Sequence, residues 1–121
     1  MKQLNSLHAW RIAREVSRDA YRLTLRASMK GHFELIDQIR RAAISIPANI
    51  AEGYALGTRP QIVRVLRISL GSAAELYTHL ALVEDVNLAP KEALDPVVAT
   101  LVRCIGVLIG LLKRYGAQVP K

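Results

Sequence analysis

Apolar residues recur along this chain at alternating steps of three and four, which is the spacing of one face of an α-helix. Four stretches carry this pattern, and segments containing Gly, Pro and Asn separate them. Helices of similar length joined by short turns indicate an all-α, antiparallel, up-down-up-down four-helix bundle in one domain over 1–121. The predicted helices span about 7–28, 34–54, 60–86 and 96–114.

The connecting segments contain residues that commonly begin helices. Asn5 or Ser6 is expected to cap the first helix, and Thr58 the third. Asp95 is expected to cap the last helix, with Pro96 at its first position.

The first helix is apolar on one face and arginine-rich on the other. One guanidinium per helical turn forms a row of planar donors suited to the phosphates of a nucleic acid. The alternative interpretation is an ordinary solvated face, in which Glu15 and Asp19 pair with neighbouring arginines. We call this row the arginine stripe, and it consists of Arg11, Arg14, Arg18, Arg22 and Arg26.

The second helix is interrupted by Pro47, which predicts a kink or a restart of the helix. Its polar residues form a band only about 80° wide on the helical wheel, between small and apolar residues, so no broad solvated face is expected. These side chains either form a hydrogen-bonded cluster within one subunit or fix the register between subunits. They are Gln38, Arg41, Ser45, Asn49 and Glu52.

The third and fourth helices each carry a heptad-spaced apolar seam and, beside it, a second apolar strip. A lone bundle needs roughly three apolar residues in seven per helix, and these helices exceed that fraction. The excess predicts a homo-oligomer. The second strips are Val63, Leu70, Ala74, Tyr77 and Ala81 on the third helix and Val98, Val102, Ile105, Ile109 and Leu112 on the fourth.

The net charge of +7 is placed unevenly along the chain. Residues 1–67 contain 12 Lys and Arg against 5 Asp and Glu, whereas residues 68–121 contain 5 of each. This asymmetry favours RNA or DNA as a ligand of the first half, with Arg64 and Arg67 as additions to the arginine stripe. Since aromatic residues make up only 5% of the chain, binding is expected to depend on charge rather than on base stacking.

Residues for catalysis or metal binding are sparse. His8, His32 and His79 are dispersed, and Glu75 stands four residues before His79 rather than in the Glu-x-x-His spacing of carboxylate-bridged metal bundles. Cys104 lies on the apolar seam of the fourth helix, where a thiol is commonly inert. The sequence has no Gly-rich phosphate loop and no nucleophile elbow. We therefore expect no enzymatic activity, no cofactor and no metal site.

The cysteine content and the absence of a signal-peptide pattern in the sequence predict a cytoplasmic protein. One cysteine allows no internal disulfide, and no signal-peptide pattern follows Met1. The most apolar stretch, residues 97–112, is shorter than the roughly 20 residues that span a bilayer and contains Arg103. It is expected to be a buried helix, without membrane contact.

Three segments resemble consecutive signatures of a bacterial four-helix-bundle protein family encoded in intervening sequences of 23S rRNA genes. They are "LHAWRIAREVSRDAYRLT", "QIRRAAISIPANIAEG" and "ISLGSAAELYTHL", together covering about residues 7–83. The resemblance implies a bundle assembled as a ring-like homopentamer, with no established enzymatic activity. The family is similar to the accessory variability proteins of diversity-generating retroelements, basic pentameric barrels that engage a reverse transcriptase and nucleic acid.

Carried over residue by residue, this signature covers the second and third helices. The chain departs from it at Tyr77 and His79, where relatives more often have an acidic residue and a glutamine. Two functions follow as expectations: a basic accessory protein that binds RNA or DNA, or an oligomeric scaffold that binds only protein. The signature positions are Gln38, Arg40, Arg41, Ser45, Pro47, Asn49, Glu52, Gly53, Gly71, Ser72, Glu75 and Leu76.

Overall fold

The computed structural model describes residues 7–120, which contain four long α-helices and no strand. Each helix packs against the next one along the chain, and the last packs against the first, as in the predicted four-helix bundle. The first and third helices are therefore diagonal to each other. The helices are α1 (His8–Thr24), α2 (Phe33–Leu56), α3 (Arg59–Asp85) and α4 (Lys91–Arg114).

Medium-sized aliphatic side chains from all four helices fill the core, and the contact between α2 and α3 is the most extensive. Ser69 is the one fully buried polar residue on α3, and its hydroxyl donates to the carbonyl of Ile46 over 2.9 Å. This bond satisfies the hydroxyl in the core and links α3 to α2. The largest fully buried side chains include Ile39, Ile46, Ile50, Leu66, Leu76, Leu101 and Leu108.

The first helix is shorter than predicted, because it ends at Thr24 rather than near Ser28. Arg26 has an extended backbone with ψ of 145°, which breaks the helix, and a single 3₁₀ turn (Ala27–Met29) follows. That turn places Met29 fully in the core. Burial of this side chain thus accompanies an early helix end that the periodicity did not indicate.

Among the predicted caps, Thr58 is confirmed: its hydroxyl oxygen accepts the N–H of Gln61 over 3.4 Å at the start of α3. Asn5 and Ser6 lie outside the described residues. At α1, Leu7 occupies the cap position without a side-chain hydrogen bond.

The cap assigned to Asp95 is wrong, since α4 begins at Lys91 and Pro96 lies inside the helix. The carbonyl of Pro90 accepts the N–H groups of the first turn, including that of Leu94 over 3.1 Å. This extra turn buries Leu94 to 2% exposure, which offsets the one backbone hydrogen bond that Pro96 cannot donate.

The second helix does not restart at Pro47, because α2 runs unbroken through this residue. The helix ends at Leu56 and is capped by Gly57, whose φ of 83° is left-handed and whose N–H bonds to the carbonyl of Gly53 over 2.9 Å. Glycine is favoured at such a position because it has no Cβ to clash.

By length and composition, α4 is long and apolar enough to cross a membrane, with a mean hydropathy of 1.9 and a third of that stretch buried in the bundle. Core helices of globular proteins meet the same criterion, so one such helix in the described part of the chain is weak evidence for a membrane span.

Candidate nucleic-acid interface

All five residues of the arginine stripe are exposed, the first four on α1 and Arg26 just after its end. The apolar side of α1 is buried in the core, so the stripe on its other side faces solvent. Arg18 donates from Nε to Oδ1 of Asp19 over 2.9 Å, and no other stripe residue forms an ion pair within residues 7–120. The positive charge of the stripe is therefore largely uncompensated by direct partners.

Three members of the stripe line an open groove between α1 and α2, with a volume of about 590 Å³. Pro47 contributes to this lining from α2. Glu15 also lies in the groove, but it forms no ion pair there in the described chain. The lining residues are Arg11, Arg14, Glu15, Ser17, Arg18, Tyr21 and Pro47, and we call this feature the α1–α2 groove.

Two guanidinium groups at this groove stack on aromatic rings. The Cζ atom of Arg14 lies 4.7 Å from the centroid of the Trp10 ring, and that of Arg40 lies 4.2 Å from the centroid of Tyr21. Arg40 also donates from Nε to the Thr24 hydroxyl over 2.9 Å, and this hydroxyl donates to the carbonyl of Tyr21 over 2.6 Å. These contacts hold Arg40 against α1 and order one end of the groove.

Tyr21, which lines this groove, and Trp10, which lies against Arg14, were not predicted as site residues. Trp10 precedes Arg14 by four positions and Tyr21 follows Arg18 by three, so helical spacing alone indicates that they neighbour the stripe. Arg40 was recognised only as a signature position. Its contact with Tyr21 joins residues far apart in sequence, and only the packing of α2 on α1 produces it.

The last two residues of the stripe face a different groove. Arg22 and Arg26 line a depression between α1 and the first turns of α4, together with Asp19 and Glu92. From Arg14 to Arg22 the stripe advances in steps of four residues, and each step is about 40° more than one helical turn. The row therefore moves around α1 toward the α4 side, and Arg26 follows after the helix has ended. The nearby carboxylates reduce the positive potential at this end.

Arg64 and Arg67 are exposed, but they belong to α3. Because α3 is diagonal to α1, exposed residues of the two helices point away from each other across the bundle. Within one subunit these two arginines form a separate surface and do not extend the stripe.

The family model for 23S rRNA-intervening sequence proteins matches residues 5–110. The chain belongs to this family. The match continues beyond residue 83, where the resemblance ended, and covers most of α4.

A solved structure also supports the fold of this family member. It is a protein of unknown function from the S23 ribosomal protein family of Bacteroides thetaiotaomicron, with 22% sequence identity and a TM-score of 0.79. The similarity covers 87% of this chain and 98% of that one. At this identity it shows a shared fold alone. Among curated proteins, the comparison found no match.

Part of the family signature forms a polar contact between α2 and α3. The hydroxyls of Ser45 and Ser72 lie 2.8 Å apart, and Nδ2 of Asn49 donates to the carbonyl and the hydroxyl of Ser45 over 2.8 and 2.9 Å. Asn49 therefore has partners within one subunit, as the first of the two interpretations predicts. Arg41 and Glu52 are exposed in the subunit, so Glu52 is not a buried charge.

Gln38 lies apart from this contact, in a groove of about 490 Å³ between the start of α2 and the end of α3. Phe33 and Leu82 give this groove an apolar lining, and His79 lies at its side, with Nε2 3.3 Å from Oε1 of Glu75. No group of three metal-ligating side chains occurs among residues 7–120.

The thiol of Cys104 is inside the bundle, at 1% exposure. Burial raises its pKa to about 12, because the apolar core disfavours the charged thiolate. The cysteine is thus a core residue in this structure, consistent with its position on the apolar seam of α4.

Proposed function

We propose that this family member is a non-enzymatic accessory protein that assembles as a homopentamer and binds RNA or DNA through the α1–α2 groove. The observation that carries the proposal is the convergence of Arg11, Arg14 and Arg18 on one open groove, where Arg18 alone forms an ion pair among the described residues. Planar guanidinium groups without carboxylate partners are well suited to phosphate oxygens.

The distribution of exposed apolar side chains supports self-association through the other helices. Ile44 on α2, Tyr77 on α3 and Val102 on α4 are 50%, 47% and 51% exposed. In the middle of α1, by contrast, exposed positions carry mainly arginine. Contacts between subunits through α2, α3 and α4 bury apolar surface and leave the arginine stripe accessible.

The second apolar strips of α3 and α4 lie on the same side of the subunit. Ser72 contacts α2, and the strip of α3 is on the opposite side of that helix. Val107 and Leu111 line a depression with the start of α1, and the strip of α4 is on the side away from them. Both strips therefore border the contact between α3 and α4, where Ala74, Tyr77, Ala81 and Val102 remain exposed.

Five subunits is the number that the resemblance to the pentameric accessory variability proteins implies, and a nucleic-acid enzyme such as a reverse transcriptase is the protein partner that it suggests. A pentamer also places five copies of the groove on one particle. Linked sites raise apparent affinity by roughly 10² to 10⁴ when they engage one ligand together, so a weak contact per subunit is sufficient.

The first prediction concerns assembly. Five chains of 13.4 kDa have a mass of about 67 kDa, and light scattering should give this value for the wild type. Ile44→Glu should lower the mass, because it introduces a charge into the proposed contact surface on α2. Val86→Glu is the matched control, since Val86 is 51% exposed at the end of α3. A monomeric wild type contradicts the proposal.

The second prediction tests phosphate contact. The slope of log affinity against log salt concentration measures how many phosphates are neutralised. Changing Arg14 and Arg18 together to Gln should make this slope shallower by roughly 1.4 to 1.8 for each engaged groove. The control is the change of Arg64 and Arg67 together to Gln, which removes the same charge from α3, the helix diagonal to α1. This variant should have a slope close to that of the wild type. Fluorescence anisotropy with a labelled oligonucleotide measures all three proteins.

Two results favour the scaffold that binds only protein. One is the absence of binding by the wild type at low salt, and the other is an equal salt slope for the wild type and the Arg14 and Arg18 variant. In either case the oligomer mass of the variant should first be shown to match that of the wild type.

A further inference from the structure

The α1–α2 groove presents two flat surfaces in addition to its charge. The guanidinium of Arg14 is exposed and has the Trp10 ring behind it at 4.7 Å. The ring of Tyr21 is 40% exposed and has the guanidinium of Arg40 against one face at 4.2 Å. Aromatic rings and guanidinium planes are the groups on which unpaired bases stack.

The two surfaces are placed regularly along α1. Arg14 and Tyr21 are seven residues apart, which corresponds to about 10 Å along the axis and a net rotation of only about 20°. Arg18 lies between them, on the same side of the helix. The order along the groove is therefore a stacking surface, a cation and a second stacking surface.

We propose that this groove binds single-stranded nucleic acid, with unpaired bases stacked on Tyr21 and Arg14 and the intervening phosphate held by Arg18. The inference rests on the proposed function and adds the class of ligand. In a duplex the faces of the bases are stacked on one another, so neither surface finds a base face. In a single strand every base offers one, whatever the sequence. RNA and DNA share this chemistry.

The stacking surfaces are held in place before any ligand binds. Arg40 donates to the Thr24 hydroxyl, which in turn donates to the backbone carbonyl of Tyr21, so the Arg40 guanidinium is held against one face of the Tyr21 ring. A rigid aromatic ring loses little conformational freedom on binding. Arg40 is thus a positioning residue for Tyr21.

Trp10 allows direct observation, because it is the chain's one tryptophan and lies under Arg14. We expect a single-stranded RNA or DNA oligonucleotide to quench its fluorescence and to bind more tightly than a duplex of equal length at the same salt concentration. A strand of the same length that contains abasic positions keeps its charge, and it should bind more weakly than the intact strand.

The decisive variants are Tyr21→Leu, Tyr21→Phe and, as a control, Phe33→Leu, since Phe33 is 76% exposed at the start of α2 and lies outside the α1–α2 groove. Tyr21→Leu should weaken single-strand binding by roughly 5-fold to 100-fold, which is the range for loss of one stacked base. Tyr21→Phe keeps the ring and should bind like the wild type, as should Phe33→Leu. Duplex binding and the salt slope should not change in any of the three.

The outcomes separate the two proposals. Equal affinity for single strand and duplex, or equal binding of intact and abasic strands by the wild type, overturns base stacking while phosphate contact stands. Unchanged single-strand binding by Tyr21→Leu does the same. No binding of any strand at low salt overturns the proposed function and the inference together.

Discussion

Replacing Gly53 with Ala is expected to lower the free energy of unfolding by about 1–3 kcal/mol, as overpacking of a core does. Gly53 lies inside α2, buried where the start of α3 packs against it. A Cβ at this position would overlap Cγ2 of Val65 and lie 3.3 Å from the Cα of Ile62. The backbone of α3 cannot move aside without disturbing the most extensive helix contact of the bundle.

Gly71→Ala is the matched control, because this glycine is also helical but a Cβ there meets nothing within 4 Å. Alanine should then stabilise the helix by about 0.5–1 kcal/mol, since it restricts the unfolded chain without a clash. Chemical unfolding at one fixed protein concentration measures both variants, which matters for an oligomer. Destabilisation of equal size in both would contradict the close approach at Gly53.

Cys104 is expected to react with a thiol reagent about 10³-fold more slowly in the folded protein than in denaturant, because the thiolate is the reactive form. The pKa of about 12 in the bundle, against an ordinary 9.0, reduces the thiolate fraction near neutral pH by about that factor. Burial of the sulfur adds a further barrier to the reagent. Absorbance of a disulfide reagent, with and without guanidinium chloride, measures the two rates.

The same measurement has an internal control. Raising the pH should increase the rate in denaturant until the thiol titrates near its ordinary pKa, whereas the rate in the folded protein should continue to rise well beyond that pH, toward about 12. Similar rates in both conditions at neutral pH would show that Cys104 is accessible, and the packing of α4 described above would then be wrong.

The two grooves at α1 illustrate how one sequence pattern can produce unlike sites. The arginine stripe is continuous in sequence, yet its first three residues face Pro47 on α2 and its last two face Glu92 on α4. The first groove has three arginines and one carboxylate beside aromatic surfaces, whereas the second has two arginines and two carboxylates. The difference arises from the residues of α1 beside each part of the stripe and from the helix that each part faces.

By itself the sequence determined the number of helices, the face that each one buries and the exposure of the arginine stripe. These properties are local, because a helix advances about 100° per residue and residues three or four apart share a face whatever lies opposite. The Thr58 cap is local for the same reason, since its partner Gln61 is three residues away.

Only the tertiary structure decided which helices meet and therefore which side chains act together. Arg40 reaches Tyr21 and Thr24 because α2 packs on α1. Ser45 reaches Ser72 because α2 also packs on α3. The start of α4 at Lys91 rather than Pro96 is likewise tied to the core, because the extra turn buries Leu94 against the rest of the bundle. Such contacts depend on the rotation and packing of whole helices, which periodicity along one chain segment does not specify.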